Sequence, residues 1–73
     1  MDNASINRSY DRAIRIAQFL SEKNPDKLIV VIRVDTVKGP EYDAVTVDNA
    51  RIWYPGAPHL QTWQNGQIKE RVL

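Results

Sequence analysis

Apolar residues fall along this chain in two different periods, and the switch between them divides it. From residue 3 to residue 23, Ile6, Tyr10, Ala13, Ala17 and Leu20 recur at spacings of three and four. That is the stripe of an amphipathic helix. Ile14 and Ile16 flank the stripe, Asn3 or Ser5 is placed to cap it, and Asn24-Pro25 ends it. The residue before a proline is pushed out of helical geometry.

The longest apolar, β-branched run is Leu28–Val37, reading LIVVIRVDTV. Five consecutive apolar residues open it, and Arg33 and Asp35 then alternate with Ile32, Val34 and Thr36. This predicts an interior strand, covered on both faces at first and on one face later. A span of the bilayer needs ~20 apolar residues, far more than this run holds. The expectation is that Val30, Ile32 and Val34 pack under the helix stripe of Tyr10, Ala13 and Ala17.

Further on, Lys38–Glu41 is expected to be a connection with Gly39-Pro40 inside it, and Tyr42–Asp48 a second strand. Asp48-Asn49 is a turn or bulge signal, and Arg51–Tyr54 a third strand or a continuation of the second. Pro55–Pro58, reading PGAP, is a loop. Leu60–Gln64 and Gln67–Leu73 flank Asn65-Gly66, the dipeptide that a type I′ hairpin turn requires.

The fold class is therefore α+β. One N-terminal amphipathic helix packs on a three- or four-stranded antiparallel sheet, in an α-β-β-β-β meander. The 73 residues make one small domain. One helix covers one sheet face, which leaves residues such as Ile29 and Val31 for a second copy or a partner to cover. A chain this short has a thin stability margin and no cysteine with which to staple itself. Both points make a homodimer an expectation.

Charge narrows the classes further. The formal net charge is +1, neither the basic footprint of a nucleic-acid binder nor the acidity of a nucleic-acid mimic. Met1-Asp2-Asn3 is polar, so the expected location is the cytoplasm.

Candidate chemistry is sparse. His59 is the only histidine, so one chain holds neither a hydrolase triad nor a two-histidine metal site. Strand-end aspartates such as Asp43 and Asp48 serve as turn formers. The glycines, Gly39, Gly56 and Gly66, lie too far apart for a phosphate-cradling loop. No catalytic, cofactor or metal residue is expected, and the chain is not expected to be an enzyme.

Two stretches carry recognition chemistry instead. Ile52–Trp63, reading IWYPGAPHLQTW, gathers Trp53, Tyr54, His59 and Trp63. Tryptophan and tyrosine bring large apolar area with little rotamer entropy, so they anchor interfaces, although a small domain also needs them in its core. Tyr54 is expected to point outward. The second stretch is a helix face bearing Arg8, Arg12, Arg15 and Lys23 around Phe19, bordered by Asp11 and Glu22. Long basic stems on such a face also shield the edge of a core. The expected function is a small protein-binding regulatory or inhibitory module that occupies a surface of a larger macromolecule. Its size and class are those of accessory or phage-type viral proteins. The alternative is a small nucleic-acid-binding regulator that stacks bases on the aromatics beside Arg51, Lys69 and Arg71.

Overall fold

The computed structural model describes the backbone of residues 3–71 and the side chains of residues 9–69. The chain is α+β: helix α1 (Asn3–Lys23), strands β1 (Ile29–Thr36) and β2 (Gly39–Thr46), helix α2 (Val47–Trp53), and strands β3 (His59–Gln64) and β4 (Gln67–Arg71). The four strands form one antiparallel sheet in the order β2-β1-β3-β4. The expected helix, central strand and final hairpin are all present. The side chains of Asn3, Ser5 and Ile6, and all of Val72 and Leu73, lie outside what the structure describes.

The order is not that of a simple meander, and the reason is directional. β2 and β3 both pair antiparallel with β1, one on each side, so they run the same way. Joining two strands of like direction means carrying the chain back along the sheet, which takes a dozen or more residues, usually with a helix. Residues 47–58 make that crossover. Arg51–Tyr54, expected as a strand, is therefore the end of α2 and the residue that follows it. β2 stops at Thr46 because Thr46 is the N-cap of α2, its Oγ1 accepting the Asn49 N–H at 3.1 Å. Asp48 in the first turn adds a negative charge at the positive end of the helix dipole.

The two helices sort the central strand by parity. Ile29 and Val31 are buried under α1 with Ala13, Ala17, Ala44 and Trp63. Val30 and Ile32 are buried on the other face with Ala50, and Val34, Val45, Val47, Tyr54 and Ala57 pack around them. The expected packing of Val30, Ile32 and Val34 under α1 is thus corrected: that even-numbered set belongs to α2. The face left for a second copy is covered by the chain itself, which removes the structural ground for the expected homodimer. On the β3–β4 half the same face is polar. Thr62 there pairs with Val30, and Gln64 lies one residue beyond Trp63.

The β1–β2 hairpin turns earlier than expected. Thr36 pairs with Gly39, so Val37-Lys38 is the loop and Gly39-Pro40 lies within β2. The Thr36 hydroxyl donates to the Gly39 carbonyl at 2.7 Å and accepts the Lys38 N–H at 3.2 Å. Gly39 takes a φ of 116°, a region closed to most side chains. Proline is tolerated here because β2 lies at the sheet edge. The Val47 N–H points inward, to the Leu28 carbonyl at 3.0 Å, so the even-numbered amides of β2 point outward. Tyr42 N–H donates to Ser9 Oγ at 3.2 Å, Ala44 N–H to Asp43 Oδ1 at 2.8 Å, and Pro40 has no N–H. At the other edge, β4 carries one extra residue, Lys69, between its pairings with Thr62 and Trp63.

Candidate interaction surfaces

The residues of the two expected recognition stretches are distributed by the fold over two opposite sides and the core. Trp63 is a core residue, 7% exposed, on the α1 face of β3. Its Nε1–H donates to Gln61 Oε1 at 3.0 Å, and Gln61 Nε2 donates to the Tyr10 hydroxyl at 3.0 Å. The Tyr10 ring in turn meets Tyr42 edge to face, 5.1 Å between centroids. The polar ends of Trp63, Gln61 and Tyr10 therefore have partners beneath α1, which makes their burial tolerable. Tyr54 does not point outward. It is half-buried against Val30, Ile32 and Ala50, and its carbonyl accepts the Ala57 N–H at 3.1 Å. His59 is the first residue of β3 rather than part of the loop, and it is exposed.

Trp53 is the member of the aromatic stretch that faces solvent. It is 71% exposed and its neighbour Ile52 is 68% exposed, in the last turn of α2. The helix is pinned at both ends. Thr46 caps its start, the Tyr54 N–H closes its end on the Ala50 carbonyl at 2.9 Å, and Ala50 is its buried contact with the sheet. Beyond it, the Arg33 N–H donates to the Pro58 carbonyl at 3.3 Å and ties the crossover to β1. Ile52 and Trp53 are thus large apolar side chains held rigidly outward, with no packing task in the sheet. The sequence signal for them was the RIWY run itself, read in the wrong period.

The second surface lies on α1, whose core face meets the opposite side of the sheet. Arg12, Arg15, Phe19 and Lys23 are all exposed there, Phe19 by 56%. The Lys23 ammonium stands 5.5 Å from the centre of the Phe19 ring, a cation–π contact. The side chain of Arg8 lies outside the described residues. Phe19 and Trp53 therefore belong to separate surfaces.

Among the described residues there is no cluster of three or more histidine, cysteine, aspartate or glutamate side chains able to hold a metal ion. No helix among them is long and apolar enough to cross a membrane. No family model, curated protein or solved structure matches the chain.

Proposed function

We propose that the chain is a small protein-binding module, regulatory or inhibitory in type, that acts by occupying a surface of a larger protein. The last turn of α2 is its anchor. One observation carries the reading: Ile52 and Trp53 stand 68% and 71% exposed on a helix fixed by its cap, its buried Ala50 and its crossover. Exposed tryptophan on a rigid element has the composition of an interface hot spot, with little ordering entropy left to lose on binding. Tyr54 and the Thr46 cap support the anchor from beneath.

The test compares affinity capture by the parent chain with capture by Trp53→Ala and Ile52→Ser, with folding checked by circular dichroism. The expected result is a partner protein retained by the parent and lost from both variants. Retention by both variants would sink the α2 reading. A salt-sensitive gel shift with oligonucleotides would favour the nucleic-acid alternative, because phosphate contacts release counterions.

A further inference from the structure

We infer that the outer ridge of α1 is a second docking surface, whose occupant is an acidic helical segment of a partner protein with one apolar side chain among its carboxylates. This rests on the reading of the chain as a protein-binding module and adds a contact to it.

The ridge follows from helical spacing. Arg12, Arg15, Phe19 and Lys23 are separated by three, four and four residues. At ~100° per residue they fall within about 80° of one another, and the sequence places Arg8 on the same line. Ala13 and Ala17, the buried residues of the helix, lie well over 90° away from Phe19 on the wheel, so the fold makes no use of the ridge. From Arg12 to Lys23 it runs roughly 16 Å, about three turns, with Arg12 and Arg15 in the first, Phe19 in the second and Lys23 in the third.

Among the described residues the ridge cations have no ion-pair partner. The ion pair found among the described residues is Arg33–Asp35, at 3.4 Å, on the central strand. None of the described carboxylates lies within the 4.0 Å ion-pair distance of Arg12, Arg15 or Lys23. Phe19 lies between Arg15 and Lys23 with more than half its surface in solvent, although Lys23 takes up part of the ring. Cations flanking one rigid ring match carboxylates flanking one apolar side chain.

Other anionic partners fit less well. A nucleic acid needs concentrated positive potential along its row of phosphates, which a formal net charge of +1 with Asp11 and Glu22 beside the ridge does not supply, whereas a partner helix can set a few carboxylates against Arg12, Arg15 and Lys23 and away from that flank. A single phenylalanine buries too little area to hold the helix in a lipid surface.

The probe is a fluorescein-labelled, alanine-based helical peptide of about 18 residues, with glutamates at i, i+4 and i+7 and one leucine, read by anisotropy. Its control carries glutamine in place of each glutamate. The parent should bind the acidic peptide at least ~10-fold more tightly than the control, and added salt should weaken that binding. Arg12→Glu with Arg15→Glu should cost at least ~10-fold, and Phe19→Ser should also weaken binding. Trp53→Ala should bind like the parent. These side chains are exposed, and circular dichroism checks that each variant folds. Four results would overturn the inference: no parent binding, equal binding of the two peptides, indifference to Arg12→Glu with Arg15→Glu, or tighter binding of an oligonucleotide or of phosphatidylserine vesicles. If the peptide fails while capture still depends on Trp53, the ridge is discarded and the α2 anchor stands.

Discussion

The hydroxyl oxygen of Ser21, fully buried in the last turns of α1, accepts the backbone N–H of Gly66 at 2.8 Å. The same hydroxyl donates to the Gln18 carbonyl at 2.9 Å. One side chain thus binds the end of the helix to the tip of the β3–β4 hairpin. Asn65 and Gly66 both take positive φ, 53° and 79°, as the Asn-Gly pair predicts. A Cβ on Gly66 would come within 2.7 Å of the Glu22 Cγ. The turn therefore requires glycine there, and the exposed Glu22 side chain would have to move aside for a Cβ.

Ser21→Ala should cost ~1 kcal/mol or more, because it leaves the half-buried Gly66 amide without its partner. Chemical denaturation checks this. Gly66→Val should cost a comparable amount, from positive φ at a β-branched residue. A Gly66→Val chain as stable as the parent would mean that the hairpin is not held this way.

The two layers of the core should fail separately. Ile32→Ala should cost ~2–5 kcal/mol and Val31→Ala somewhat less, as the smaller truncation. Hydrogen exchange tells them apart. The Ile32 variant should lose protection in α2 and the crossover, the Val31 variant in α1. Equal loosening of both helices by both variants would contradict the assignment of faces.

Trp63 and Trp53 give opposite optical reports. In Trp53→Phe the remaining indole is the buried Trp63, so emission should shift to the blue and resist acrylamide. In Trp63→Phe the remaining Trp53 should emit to the red and quench readily. Similar quenching in the two variants would contradict the burial of Trp63.

Gln61→Leu removes the link between the Trp63 indole and the Tyr10 hydroxyl. Two polar ends under α1 then lack a partner, with an expected loss of ~1–3 kcal/mol. Thr46→Ala should cost ~1 kcal/mol and fray the start of α2. Partner capture through Trp53 should weaken with it. That combination separates a capping role for Thr46 from a silent one.

What the sequence made legible follows from where its signals are local. Tyr10, Ala13 and Ala17 mark the buried side of α1 through spacing alone, and Asn65-Gly66 names its own turn. The face that α1 covers is a different matter. In Leu28–Ile32 every residue is apolar, so parity is silent about whether Ile29 or Val30 meets the helix. α2 was missed because seven residues give the 3.6-residue period barely two turns, and Ile52-Trp53-Tyr54 has strong strand propensity. Its readable trace was Thr46-Val-Asp-Asn, a capping residue with an acidic residue two positions later. Direction of travel held the rest. Only when β2 and β3 are known to run the same way does a crossover helix become necessary. That ambiguity also split the candidate site, since Trp53, Tyr54 and Trp63 lie close in sequence but face solvent, the α2 layer and the α1 layer respectively.

The outward amides of β2 have a consequence for crowded conditions. Fibril growth needs a strand whose free donors can template the next. At Pro40 the donor does not exist, at Tyr42 it is taken by Ser9, and at Ala44 it is taken by Asp43. The far edge offers β4, where the extra Lys69 interrupts the ladder and puts a charge beside it. In the folded chain, with its apolar central strand and no covalent staple, these three positions of β2 and the bulged far edge leave a poorer template for a further strand than two open edges would.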